Sequence, residues 1–122
     1  MKIITPYIHG IVDYLIVIVF LLFPLFFGWS GVVAITTYGF ALVHLTITLL
    51  TAFPLGPFKQ IPLQVHGQYE FIISGLLIIL IWPLGIESDL IKRNFYIFMG
   101  FALLVLWLLT NYQNIAYSDV EG

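Results

Sequence analysis

The chain has 122 residues, of which 61% are hydrophobic and 8% are charged, and its formal net charge is −2. Soluble proteins average about 25% charged residues, and a soluble domain this small exposes too much surface to be covered by so few. The composition therefore excludes a soluble domain, and the charge gives no reason to expect a nucleic-acid partner. The absence of cysteine excludes disulfides, thiolate metal sites and thiol nucleophiles.

Four apolar stretches follow one another along the chain, at residues 6–27, 32–53, 64–84 and 94–112. Each is close to the roughly 20 helical residues that cross a hydrocarbon core about 30 Å thick. They predict an all-α membrane protein with four transmembrane helices in a single domain, residues 1–122. The first stretch is longer than the apolar region of a signal peptide, and no A-x-A-like cleavage site is visible. We therefore expect it to remain in the mature protein.

A short motif is duplicated in the chain. The segment HGIVDY at 9–14 recurs 57 residues later as HGQYEF at 66–71, and each copy opens an apolar stretch. In the second helices, GFAL at 39–42 is echoed by GFAL at 100–103. The pattern predicts two tandem helical hairpins, repeat 1 at residues 1–58 and repeat 2 at residues 59–122. Because each repeat has two spans, both insert in the same orientation, which predicts a pseudo-two-fold axis along the membrane normal.

Ionisable residues are placed at matching depths in these helices. His9 and Asp13 are four residues apart, as are His66 and Glu70, so each pair lies on one helix face. At a rise of 1.5 Å per residue, Asp13, Glu70 and His44 fall about 10 Å inside the same membrane boundary, with His9 and His66 about 6 Å shallower. Thr110, Asn111 and Tyr112 fall at that end too, and His44 shares a helical stripe with small and polar residues (Thr37, Ala41, Thr48, Thr51).

Such a cluster suits several roles. The first is a divalent metal ion bound by imidazole and carboxylate groups from facing helices, with His9, Asp13, His44, His66 and Glu70 as candidate ligands. The ferritin-like signature is Glu-x-x-His, whereas here the order and spacing differ. Intramembrane ionisable groups are a functional hypothesis by default.

Three further interpretations stay open. Haem b could be held by His9 and His66, with Gly10 and Gly67 leaving room for a flat macrocycle. The titratable groups could form a proton relay or a proton-coupled transport path. The cluster could also only tie the helices together in a non-catalytic structural or accessory subunit. No serine or threonine lies in a recognised catalytic motif, so we do not expect an enzyme with a covalent nucleophile.

The chain resembles the SPW-repeat family of small bacterial membrane proteins over almost its whole length. The matching residues are His9, Asp13, Pro24 and Gly28, then His66, Glu70, Trp82, Pro83 and Gly85. The family's name-giving Ser-Pro-Trp is absent from this chain, which has FPL at 23–25 and IWP at 81–83 in its place. The resemblance implies a duplicated two-span unit in the bacterial inner membrane, and it implies no particular reaction.

The partners and the orientation follow from the same considerations. The expected partner is the lipid bilayer, with a homo-oligomer or a larger membrane complex as further candidates. Lys2 and Lys59 lie on one membrane face, and Lys92 and Arg93 lie on the other. The positive-inside count is thus balanced, and we favour both termini in the cytoplasm.

Overall fold

The computed structural model describes residues 2–112, and within that range the chain forms four α-helices. Their bounds are α1 Pro6–Phe27, α2 Gly31–Leu50, α3 Leu63–Ile79 and α4 Leu90–Leu109. Three of the described helices, α1, α2 and α4, are long and apolar enough to cross a membrane. The all-helical, membrane-type prediction is confirmed to this extent. Residues 1 and 113–122, which the predicted repeats include, lie outside the described range.

The start of α1 and the start of α4 are each set by a capping side chain. The Thr5 hydroxyl accepts a hydrogen bond from the backbone N–H of Ile8, and Pro6 occupies the first helical turn, where its missing N–H costs nothing. The Asp89 carboxylate accepts from the backbone N–H of Lys92, which also holds the pKa of the Asp89 carboxyl below its usual value. This cap explains why α4 begins at Leu90, four residues before the predicted start.

The third helix is shorter than predicted. It ends at Ile79 after 17 residues, and a run of turns covers 80–85. Pro83 has no N–H to donate to the Ile79 carbonyl and disfavours a helical conformation at the residue before it. The backbone N–H of Ile81 accordingly bonds to Ile78, three residues back. The prediction of one continuous span over 64–84 is therefore wrong at its second end.

The described helices expose apolar side chains on their outer faces and bury a set of polar side chains beside the apolar core. Their outward side chains include Leu25, Phe26, Val32, Ile35, Ile72 and Phe98, all exposed. The buried polar side chains include His9, Asp13, Thr37, His44, Thr48, Thr51, His66, Glu70, Ser74 and Thr110. A water-soluble protein would bury the first set and expose the second. The distribution is the one that a lipid environment stabilises.

Consecutive helices pack closely in the pairs α1–α2 and α3–α4. The apolar core lies toward the end that carries the α1–α2 and α3–α4 connections. It includes Phe20, Leu77, Phe95 and Leu103. The buried polar groups collect at the other end, where α1 and α3 begin and α2 and α4 finish. One exception is the hydrogen bond between the Thr37 and Tyr96 hydroxyls, 2.7 Å long.

Two short backbone bridges join the four helices at that polar end. Ile4, just before α1, pairs with Thr110, just after α4. Ile61, just before α3, pairs in the same parallel manner with Thr51, just after α2. Because the residues after Leu50 and Leu109 are drawn into these bridges, α2 and α4 end three residues before their predicted ends.

Candidate metal site

Four side chains from α1 and α3 meet at the polar end: His9, Asp13, His66 and Glu70. One ligand atom from each lies within 4.8 Å of all the others. Nε2 of His9 is 3.1 Å from Asp13 Oδ2 and 3.0 Å from Glu70 Oε1. Nε2 of His66 is 3.0 Å from Asp13 Oδ2 and 3.3 Å from Glu70 Oε2. None of the four residues is more than 1% exposed. The structure thus brings together the two histidine–carboxylate pairs that the sequence suggested would converge.

In both His9 and His66, Nδ1 is the ring nitrogen that faces away from the carboxylates, and it is hydrogen-bonded to a threonine hydroxyl. His9 Nδ1 lies 2.7 Å from Thr110 Oγ1, and His66 Nδ1 lies 2.7 Å from Thr51 Oγ1. Each threonine hydroxyl donates its own proton to the backbone carbonyl one turn back in its helix, 2.6 Å away. The hydroxyl oxygen is therefore an acceptor toward the imidazole, so Nδ1 carries the hydrogen in both histidines.

This arrangement fixes what the inner nitrogens can do. With Nδ1 protonated, a neutral imidazole has its lone pair on Nε2, and both Nε2 atoms face carboxylate oxygens. Two sets of lone pairs at about 3 Å repel unless a proton or a metal ion lies between them. Asp13 Oδ2 and His66 Nε2 are only 3.0 Å apart, yet within residues 2–112 neither has a hydrogen-bond partner of acceptable geometry. His9 Nε2 differs from His66 Nε2, because it makes a hydrogen-bond contact with Glu70 Oε2 at 3.0 Å.

Both carboxylates also have partners outside the four-residue group. The Tyr112 hydroxyl donates to Glu70 Oε1 at 2.6 Å. Asp13 Oδ1 lies 3.1 Å from His44 Nε2, and His44 Nδ1 lies 3.1 Å from the Tyr69 hydroxyl. Because the carboxylate can only accept, His44 donates through Nε2 and accepts from Tyr69 through Nδ1. His44 is therefore placed behind Asp13 and is not a member of the four-residue group.

The two glycines beside the histidines are covered by aromatic rings. A Cβ atom on Gly10 would collide with the ring of Phe53, and one on Gly67 would lie 3.1 Å from the ring of Tyr112. The rings of His9 and Tyr112 also make an edge contact, with centroids 5.5 Å apart. The room that Gly10 and Gly67 leave is thus filled by side chains that follow α2 and α4.

Several residues of the site were not assigned a role from the sequence. Thr51, Thr110 and Tyr112 were placed at the right end of the bundle, but their contacts with the histidines and with Glu70 were not foreseen. Tyr69 was not singled out at all. Thr51 and Thr110 follow the ends of α2 and α4 at equivalent positions, just as Phe53 and Tyr112 do two residues later, and this equivalence becomes visible only when the helix ends are known.

The threonine contacts give a direct test of this geometry. Replacing Thr51 or Thr110 with valine keeps the shape but leaves a buried Nδ1–H without an acceptor, which costs about 1–3 kcal/mol of unfolding free energy. Thr46→Val is the matched control, because the Thr46 hydroxyl makes the same bond to the carbonyl one turn back on an exposed face. Denaturant unfolding in detergent micelles measures all three. Equal stability of the buried and exposed variants would contradict the assigned contacts.

Comparison of the chain with protein-family models, with curated proteins and with solved structures gives no match. The function is therefore argued from the chain's own residues.

Proposed function

We propose that this protein is an integral membrane protein that binds one divalent transition-metal ion through His9, Asp13, His66 and Glu70. The observation that carries the proposal is the commitment of both Nδ1 hydrogens to Thr51 and Thr110. It leaves two Nε2 lone pairs and two carboxylates directed at one buried point. Either two protons, one on each Nε2, or a single divalent metal ion can satisfy all four groups, and the single ion is the partner that one common centre accommodates.

The charge of the ligand set favours a divalent ion. Two neutral imidazoles and two carboxylates carry a net charge of −2, which a divalent cation neutralises. Neutrality matters because an uncompensated charge inside a membrane protein is costly. Imidazole and carboxylate ligands together suit Zn²⁺, Fe²⁺ or Mn²⁺, whereas soft ions such as Cu⁺ prefer sulfur. Zn²⁺ fits best, because four such ligands complete the tetrahedral set of a closed zinc site.

A small ion fits this site better than haem. A macrocycle held by His9 and His66 would need a flat space between the two imidazoles, where the Asp13 and Glu70 carboxylates already lie. The space beside Gly10 and Gly67 holds the Phe53 and Tyr112 rings. The two histidine rings are 5.4 Å apart at their centroids and nearly perpendicular, at 75°.

The hydrogen bonds that the four proposed ligands make to other residues support the same function. Protein metal sites hold each ligating histidine and carboxylate with a further hydrogen bond, which orients it and fixes the tautomer. Here the histidines have Thr51 and Thr110, Glu70 has Tyr112, and Asp13 has His44. We assign His44 to this positioning role.

We further propose that the chain is a tandem pair of hairpins around an axis along the membrane normal, with α3 and the turns after it as the fourth span. The buried positions of α1 and α3 match at a separation of 57 residues: His9 with His66, Gly10 with Gly67, Asp13 with Glu70, Val17 with Ser74, and Phe20 with Leu77. Ile4 and Ile61 of the two bridges are also 57 residues apart, and their partners Thr110 and Thr51 each directly follow a second helix of a hairpin. At 1.5 Å per residue, α3 is about 26 Å long.

Elemental analysis of the purified protein tests the function. We expect one equivalent of a divalent transition metal, Zn²⁺ foremost, to remain after size-exclusion chromatography in detergent, or to bind when Zn²⁺ is returned to chelator-treated protein. An absorption spectrum with a Soret band would assign the site to haem instead. If the protein takes up neither, the cluster only ties the helices together, and the metal proposal is wrong.

A further inference from the structure

The four metal ligands are sealed from solvent, since none of them is more than 1% exposed. An ion can reach them only if a covering side chain moves. Two aromatic residues cover the site at its polar end: Phe53 lies over Gly10, and Tyr112 lies over Gly67. They differ in what lies outside them.

On the Phe53 side, the Phe53 ring is itself buried under the loop that follows it. Phe53 is 0% exposed, and a Cβ atom on Gly56 of the following loop would lie 2.9 Å from its ring. The Lys59 ammonium fastens this loop by donating to the carbonyls of Phe53 and Gly56, at 3.0 and 2.9 Å. The Tyr14 hydroxyl holds it from α1 by donating to the Leu55 carbonyl at 2.8 Å.

On the Tyr112 side, the part of the chain that the structure describes leaves a pocket that opens outward. The pocket has a volume of about 590 Å³, and its lining includes Tyr112, Lys2, Gln64, Gln68 and Trp107. The Tyr112 ring stands between this space and Glu70, whose carboxylate accepts its hydroxyl hydrogen. Tyr112 lies beyond the end of α4, and its backbone carbonyl accepts a hydrogen bond from the Gln64 side chain.

We propose that this pocket is the entrance through which a divalent cation reaches the buried site, with Tyr112 as its gate. The inference rests on the proposed metal binding. Rotation of the Tyr112 side chain breaks its hydrogen bond to Glu70 and connects the pocket with this carboxylate, which becomes the first ligand that the ion meets. The glutamine amide oxygens in the pocket are hard ligands of the kind that hydrated divalent cations accept.

The charge of the pocket gives the proposal an independent consequence. Among residues 2–112, Lys2 is the one cationic residue in the lining of the pocket, and its ammonium lies 5.9 Å from the centre of the Trp107 ring. A positive charge beside the path slows the approach of a cation, and the effect weakens as salt screens it. Reversing this charge with Lys2→Glu therefore speeds Zn²⁺ uptake at low ionic strength, whereas Lys92→Glu at the opposite end does not.

The decisive experiment blocks the pocket after folding. Because the chain has no cysteine, Gln68→Cys can be labelled selectively with a bulky maleimide, and Ser88→Cys in the exposed loop before α4 is the matched control. Uptake of Zn²⁺ and its loss to a chelator are followed by stopped flow in detergent, where both ends are accessible. We expect the Gln68 label to slow both rates at least tenfold without changing the equilibrium affinity, and the Ser88 label to leave them unchanged.

Two outcomes overturn the inference in distinguishable ways. If the unlabelled protein binds no Zn²⁺ at equilibrium, the proposed function fails and the entrance with it. If it binds Zn²⁺ but the Gln68 label leaves both rates unchanged, the ion uses another path and only the entrance is wrong. Tyr112→Ala supplies a second measurement, because removing the gate should raise both rates at least tenfold.

Discussion

In protein carrying Glu70→Gln, the affinity for Zn²⁺ falls by about 100-fold or more relative to the unsubstituted chain. Losing even an outer-shell partner of a metal ligand typically costs about 10–100-fold, and here a ligand itself loses its charge. Glutamine keeps the shape of the side chain and can still accept the Tyr112 hydrogen bond with its amide oxygen. The change therefore removes a negative charge with little change in packing. Isothermal titration of chelator-treated protein in detergent measures the affinity.

Glu87→Gln is the matched control for this experiment. Glu87 lies in the exposed connection before α4, at the opposite end of the bundle from the site. It makes the same change in net charge, so any general electrostatic effect appears in both variants. Equal Zn²⁺ affinity in the two variants would contradict the assignment of Glu70 as a ligand.

Stability separates the metal site from a purely structural cluster. Zn²⁺ at about 100 times its dissociation constant adds about 2.7 kcal/mol to the unfolding free energy of a protein that binds it only when folded. We expect this gain for the unsubstituted chain and its disappearance in Glu70→Gln at the same Zn²⁺ concentration. A cluster that only tied the helices together would lose stability on substitution, but its stability would not depend on Zn²⁺.

The convergence of the histidine–carboxylate pairs could be predicted because it depends on helix geometry alone. Once HGIVDY and HGQYEF are placed at the start of apolar helices, the rise per residue fixes the depth of Asp13 and Glu70. Depth does not fix the direction in which a helix faces. The sequence therefore could not tell whether His44 reaches the centre of the site or, as observed, the outer oxygen of Asp13.

The roles of Thr51 and Thr110 could not be predicted because they depend on where α2 and α4 end. Hydropathy continues through Ala52 and Phe53, so composition gives no reason for α2 to end at Leu50. The end is set by pairing with Ile61, a contact between two segments of the chain that neither segment reveals by itself. The end of α3 could have been predicted from the sequence, because Pro83 cannot continue a helix. The apolar residues around Pro83 nevertheless extended the predicted stretch to residue 84.

The second large effect is a steep dependence of Zn²⁺ binding on pH. In the ion-free protein the Nδ1 hydrogens of His9 and His66 are already committed to Thr110 and Thr51. The inner nitrogens then avoid lone-pair repulsion with Asp13 and Glu70 by carrying protons of their own. The site is electrically neutral in that state, with two imidazolium and two carboxylate groups, and it is neutral again with one Zn²⁺ and no extra protons.

Each Zn²⁺ that binds must therefore displace two protons. Metal affinity is linked to the protons released on binding, so the apparent affinity rises by about 100-fold for each unit of pH while both histidines are protonated in the free protein. The sign is fixed, because protons and Zn²⁺ compete for the same two nitrogens and binding strengthens as pH rises. Titration calorimetry in buffers of different ionisation enthalpy counts the displaced protons directly. A count near zero would mean that the Nε2 atoms are unprotonated in the ion-free state, which would contradict the two imidazolium groups inferred for that state.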